Sequence, residues 1–355
     1  MELWQIYFLS GAIALGGVAF YALIAIYAER KISAFIQDRI GPMETGKWGT
    51  LQTLADIVKV LQKEIITPTG ADKFYFAIAP IIIFCSIFLG FSAIPFSEDS
   101  PSLNVGVFFI LAIVSLEVPG ILMAGWGSNN KYALMGAVRS VAQIVSYEIP
   151  AGLSVLAVVM ICQTMNLNEI ILLQGTGSPE LIKFMGFWDV TSYGGIFTWN
   201  ILKAPHMIFV FVIFFIATLA ESNRAPFDLP EAESELVAGF HVEYGGFRFA
   251  SIFLAEYAMM LLVSLLGAIL FFGGTQSPIP NLFGIKLNDI TSGTVLGVFW
   301  LFGKAFFIIF IQMWIRWSFP RLRVDQLMKL CWKVLTPAAL IMILISAVWR
   351  LWVMI

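Results

Sequence analysis

Histidine and cysteine are scarce in this chain, and so is charge. Its 355 residues hold two histidines and three cysteines, and Asp, Glu, Lys and Arg together make 12%. Cys85, Cys162 and Cys331 lie far apart, in or beside apolar runs. They form neither a C-x-x-C pair nor an iron–sulfur spacing. His206 and His241 are isolated. The expectation is a chain that binds no metal or flavin and carries no redox centre of its own. There is no basic stripe and no aromatic-interleaved basic loop, which argues against nucleic acid as a partner. No internal repeat is visible. The first apolar run has neither a basic n-region before it nor a small-residue cleavage site after it, so it reads as a retained helix.

Apolar residues fill the space that charge leaves. They make 59% of the chain, and the mean hydropathy is +0.87. A soluble core this apolar would leave too little polar surface, so the composition points to an all-α polytopic membrane protein. A bilayer core needs about 20 apolar residues per helix. Eight spans satisfy this, at roughly 4–28, 74–95, 104–126, 133–162, 205–222, 250–273, 293–316 and 331–353. They read as one transmembrane domain over 1–355.

Most cations fall on one side of these spans, from Arg30 and Lys31 through Arg224 and Arg248 to Lys333; Lys183, Lys203 and Lys286 fall on the other. The basic side should be cytoplasmic, which leaves both termini periplasmic. Between the first two spans, Leu51, Leu54, Val58, Leu61 and Ile65 recur at helical spacing, with Gln52, Asp56, Lys59 and Lys63 on another stripe. This segment, about 50–65, is too short and charged to span, so an amphipathic helix along the cytoplasmic interface is expected. Residues 163–204 form a long outer loop, in which Trp188 and Trp199 are candidates for the headgroup level.

Acidic residues inside apolar runs carry most of the functional information. Glu117 lies in S-L-E-V-P-G of the third span, Glu148 in R-S-V-A-Q-I-V-S-Y-E-I-P of the fourth, and Glu256 in F-L-A-E-Y-A of the sixth. A lone carboxylate at membrane depth is costly, so each should be protonated, paired or hydrated. Arg139, Gln143 and Tyr147 follow one another at i,i+4 on the fourth span, with Glu148 adjoining. Pro150 should loosen that helix just beyond Glu148. Arg139 is either one half of a buried packing pair or part of a proton route. Lys304, in the seventh span, either snorkels or pairs with a carboxylate, or takes part in proton transfer.

The densest charge follows the fifth span, in A-E-S-N-R-A-P-F-D-L-P-E-A-E-S-E-L, residues 220–236. Glu221, Asp228, Glu231, Glu233 and Glu235 crowd into fifteen positions against Arg224 alone. Pro226 and Pro230 keep a regular helix from running on. Like charges this close raise one another's pKa, so at least one of the loop acids is expected to hold or exchange a proton near neutral pH. By composition alone, the same loop reads equally as a solvated connector.

The wording of that segment, continuing V-A-G-F-H-V-E-Y to Tyr244, closely resembles the H-type membrane subunit (mitochondrial subunit 1) of proton-pumping NADH:quinone oxidoreductase, respiratory complex I. Further stretches are similar to the same family: E-R-K at 29–31, R-I-G-P at 39–42, L-Q-T-L-A-D-I-V-K-V-L-Q-K-E at 51–64 and P-R-L-R-V-D-Q-L-M at 320–328. Met43 stands where the family has Asn, and Thr53 where it has Pro. The resemblance implies a bacterial inner-membrane subunit that forms most of a quinone channel. Quinone would be its substrate, reduced by iron–sulfur clusters in partner subunits of the peripheral arm. Other implied partners are antiporter-like and small membrane-arm subunits, and lipid. It implies quinone-cavity roles for Glu29, Arg30, Asp56, Lys59, Arg224 and Asp228. It implies a proton route through Glu117, Arg139, Glu148, Glu221, Glu231, Glu233, Glu235 and Glu256.

Two other readings compete. The homologous subunit of an energy-converting hydrogenase or ferredoxin-linked complex would match residues 220–236 less closely. A stand-alone secondary transporter would be expected to show inverted repeats or paired broken helices, and neither is visible.

Overall fold

The computed structural model describes residues 3–96, 103–176, 183–184, 188–191, 193–229, 237–281 and 294–354. These residues are mostly helical. The helices are α1 Leu3–Ile36, α2 Gln52–Leu61, α3 Lys73–Gly90, α4 Gly106–Val114, α5 Glu117–Gly127, α6 Lys131–Cys162, α7 Leu167–Leu172, α8 Asn200–Lys203, α9 Met207–Glu221, α10 Gly246–Phe271, α11 Thr294–Ser318, α12 Val324–Leu330 and α13 Thr336–Met354. The described sheet is a two-residue antiparallel pair, Lys183–Phe184 with Trp188–Asp189.

Among the described residues, six helical stretches are long and apolar enough to cross a membrane: Lys73–Ala93, Gly106–Gly127, Lys131–Cys162, Gly246–Phe271, Val295–Ser318 and Val324–Trp352. α9 is apolar but only 15 residues long. Three spans differ from the sequence reading. The first, α1, runs on to Ile36 rather than ending near 28. The third span is two helices, α4 and α5, which meet at Ser115–Leu116 just before Glu117. The last begins at Val324 rather than near 331, because α12 runs into a π-turn, Cys331–Leu335, and on into α13.

α10 is the central helix. From Tyr257 to Phe271 every residue is buried, and it packs against α3, α9 and α11. α6 is the second hub, packed against α5, α9 and α13. Small residues bring the backbones close. A Cβ on Gly136 of α6 would come within 2.8 Å of the Gly239 Cα and 2.9 Å of the Phe240 nitrogen. α6 continues unbroken through Pro150, where the sequence suggested loosening.

α2 forms over a shorter range than 50–65 and leaves Leu54, Val58 and Leu61 exposed. Thr53, where the family pattern has Pro, is buried. Residues on either side of the two-stranded sheet fold back onto the end of α10. Gln174 donates to the Ile269 carbonyl at 2.9 Å and Asn200 to that of Leu270 at 2.8 Å. Trp188 is exposed, but Trp199 is buried, with the Lys304 ammonium 4.7 Å from the centre of its ring.

Candidate functional site

The diagnostic loop begins where α9 ends. After Glu221 the chain turns through Asn223, whose φ of +50° lies in the left-handed region that asparagine tolerates. Gln143 of α6 reaches across to this turn. Its Nε2 donates to the carbonyls of Ala220 and Phe227, each at 2.8 Å, and lies 3.3 Å from Asn223 Oδ1. One helical turn on, the Tyr147 ring packs on Phe227 with centroids 5.4 Å apart, and its hydroxyl donates to the Leu327 carbonyl at 3.0 Å. From the other side, Leu322 N donates to the Pro226 carbonyl at 3.1 Å, and Arg321 Nη2 donates to Asp228 Oδ2 at 3.0 Å. Residues 222–229 are thus gripped between α6 and the segment that leads into α12. A solvated connector would have no such partners.

The loop delivers Arg224 to a buried carboxylate on α1. Glu29 accepts from Arg224 Nη1 at 3.2 and 3.3 Å, from the Tyr257 hydroxyl of α10 at 2.7 Å, and from Arg316 Nη1 of α11. The Arg224 guanidinium also lies 4.3 Å from the centre of the Tyr257 ring, in cation–π geometry. Two cations on one carboxylate, closed by a phenol, satisfy groups that burial alone would penalise. The group ties together α1, α10, α11 and the loop. Beside Glu29 in sequence, Arg30 pairs with Asp56 of α2 at 2.5 Å, and Gln52 donates to the same carboxylate at 3.1 Å. Lys59 is exposed. Lys31 donates to the Pro42 carbonyl at 2.8 Å and lies 3.4 Å from the Met43 sulfur. The residue that departs from the family pattern therefore receives a lysine contact.

Three acids from separate helices converge in the interior. Glu117 is buried at the first turn of α5, where the positive end of the helix dipole favours a carboxylate. Glu148 of α6 contacts the Ser115 hydroxyl at the α4–α5 break. Glu221 is buried at the end of α9. Glu117 and Glu148 both lie within electrostatic reach of Glu221. Glu148, Thr218 and Glu221 line a cavity of about 20 Å³ whose remaining walls include Val114, Phe214 and Met259. That is room for a single water. Carboxyl groups spaced around one hydratable void can pass a proton by hydrogen-bond rearrangement, which an apolar wall cannot.

The other expected site residues fall differently. Arg139 and Glu256 are half-buried and do not line this cavity. Glu231, Glu233 and Glu235 lie outside the described residues. Lys304 donates to the carbonyls of Gly274 at 2.9 Å and Gln276 at 2.5 Å. It closes the turn beyond α10 through backbone carbonyls. Sequence reading missed Tyr257 and Arg316 as partners of Glu29, and Ser115 as the contact of Glu148. Tyr257 adjoins Glu256 in the span already singled out, but nothing in either sequence neighbourhood reveals the pairing. Among the described residues, no group of three or more His, Cys, Asp or Glu side chains is placed to hold a metal ion.

A family model described as NADH dehydrogenase matches residues 9–347. The second H-type subunit of NADH-quinone oxidoreductase from Cytophaga hutchinsonii is 52% identical over 353 residues, covering 94% of this chain and 96% of that protein. The chain belongs to the H-type subunit family of NADH-quinone oxidoreductase. The corresponding subunit of Chlorobium luteolum is 55% identical, with 96% of this chain and 88% of that protein covered. That of Bacteroides thetaiotaomicron is 43% identical, with 98% and 92% covered. Family membership therefore extends over nearly the whole chain, including the Glu29 group, the loop and all three converging acids.

Proposed function

We propose that this chain walls the quinone channel of a proton-translocating NADH-quinone oxidoreductase and links quinone reduction to proton movement through its buried carboxylates. The observation that carries the proposal is the meeting of Glu148 of α6 and Glu221 of α9 on one small cavity, with Glu117 of α5 within electrostatic reach of Glu221. Intramembrane carboxylates are costly to keep and are, by default, functional. Reduction of quinone to quinol takes two electrons, from an iron–sulfur cluster in a peripheral-arm subunit, and two protons. It changes the charge that the cavity must balance. Glu29, Arg30, Asp56, Lys59, Arg224 and Asp228 border the quinone. Glu117, Arg139, Glu148, Glu221, Glu231, Glu233, Glu235 and Glu256 pass the resulting bias towards the antiporter-like and small membrane-arm subunits.

In this reading α1 and α9 join the six long apolar stretches to make eight spans in one transmembrane domain of the bacterial inner membrane. Both termini are periplasmic, and α2 lies along the cytoplasmic interface with Leu54, Val58 and Leu61 towards lipid. The exposed apolar face of α2 supports that placement. The test is gentle purification of the tagged chain from its native membrane, with mass spectrometry of co-purifying subunits. A large assembly with iron–sulfur subunits and inhibitor-sensitive, NADH-driven quinone reduction is expected. A chain that purifies alone and folded, and that transports cations, would reject the proposal.

A further inference from the structure

Pro150 has no N–H, so the carbonyl of Ser146, four residues earlier, loses its helical partner. In a bilayer there is no water to replace it. α6 nevertheless continues to Cys162. The missing donor comes from another helix: the Cys331 thiol donates to the Ser146 carbonyl at 3.0 Å. Cys331 is fully buried and opens the π-turn Cys331–Leu335. A π-turn holds one extra residue, which turns the helix face by about 100°, and such turns recur at functional sites. The Cys331 carbonyl accepts from the Thr336 hydroxyl at 3.0 Å, which braces the turn. Around the thiol, Tyr147 bonds the Leu327 carbonyl and Ser146 Oγ lies 3.8 Å from Met328 Sδ. Glu148 sits midway between Ser146 and Pro150, so the pitch of this turn sets where its carboxyl meets Ser115.

We infer that Cys331 is a positioning residue for Glu148: its thiol stands in for the N–H that Pro150 lacks, and so fixes the turn of α6 that aims the carboxyl at Ser115 and the shared cavity. The consequence for proton transfer rests on the role proposed above for Glu148; the geometry does not.

The test uses the assembled complex in liposomes, with Cys331→Val, which removes the donor at similar volume, and Cys331→Ser, which keeps one. Each is made in the native background and together with Pro150→Ala, because alanine at that position restores an N–H to the Ser146 carbonyl. The readouts are inhibitor-sensitive quinone reduction and the infrared carboxyl band that Glu148→Gln abolishes. With Pro150 in place, C331V should shift that band and slow quinone reduction by at least about fivefold, the lower end of what one unsatisfied buried carbonyl costs. C331S should restore both. In the P150A background, C331V should have no effect. A silent C331V, an equal loss in both backgrounds, or an unmoved band would overturn the inference. If C331V fails to assemble with Pro150 in place, it must assemble normally in the P150A background, and failure there also overturns it. A shifted band alongside an unchanged proton yield in Glu148→Gln would keep the positioning role and reject the proton route.

Discussion

Removing the Glu29 carboxylate should damage the protein more than removing either of its cations singly, and a second mutation should partly repair it. Glu29 and Arg224 side chains are under a tenth exposed, whereas Arg316 is a quarter exposed. In Glu29→Gln, two guanidinium groups are left facing each other with only a phenol and an amide between them. Breaking a buried pair in this way costs about 3–5 kcal/mol. That agrees with about 4 kcal/mol for one charge pair at 4 Å in an effective dielectric near 20. Arg316→Gln leaves Glu29 still held by Arg224 and Tyr257, and should cost about 1.5–3 kcal/mol, the value of one hydrogen bond to a charged group. The double variant E29Q/R316Q removes the repulsion and should be more stable than E29Q alone. The assay is the rate of heat inactivation of inhibitor-sensitive quinone reduction in the detergent-solubilised complex, with assembled subunit measured in parallel. If R316Q inactivates as fast as E29Q, or if the double variant is worse than E29Q, then Glu29 is not the hub of this group.

Gln143→Met should loosen the loop at residues 222–229, because the carbonyls of Ala220 and Phe227 lose their donor; trypsin cleavage at Arg224 should become faster, and unchanged cleavage would contradict the grip described. Gly136→Ala should lower the amount of assembled subunit, since the new Cβ meets the backbone of Gly239 and Phe240 and no side chain is there to yield. Lys304→Met should destabilise the turn at residues 272–276 by about 1–3 kcal/mol, the cost of unsatisfied buried carbonyls, while proton yield per electron stays the same. A fall in that yield at normal assembly would return Lys304 to the proton route.

Class, helix positions and the acids at membrane depth can be read directly, because each follows from local composition. An apolar run long enough to span is visible in the sequence, and a glutamate inside it stands out. Glu117, Glu148 and Glu221 are therefore legible one by one, although their convergence is not. Pairing depends on which helices meet. The partners of Glu29 lie 195, 228 and 287 positions away, and Arg316 reads only as one cation among many on the basic side. Lys304 is ambiguous for the same reason: its acceptors are backbone carbonyls in a turn, which no side-chain pattern marks. Pro150 shows the limit most plainly. Proline predicts a freed carbonyl, but only the packing of the last helix supplies the Cys331 thiol that lets α6 run on. The break at Ser115–Leu116 is legible only in hindsight: Pro119, four residues on and in the first turn of α5, denies the Ser115 carbonyl its helical partner, as Pro150 does for Ser146, yet only one of the two helices breaks.

The most direct test of the account is the proton yield per electron of the reconstituted complex carrying Glu148→Gln, with assembly and subunit content verified. Glutamine keeps the size and hydrogen-bonding reach of the side chain and removes the exchangeable carboxyl proton. The account predicts that quinone can still be reduced but that fewer protons cross the membrane for each electron pair. An unchanged yield at normal assembly would contradict the claim that Glu117, Glu148 and Glu221 link quinone chemistry to proton movement.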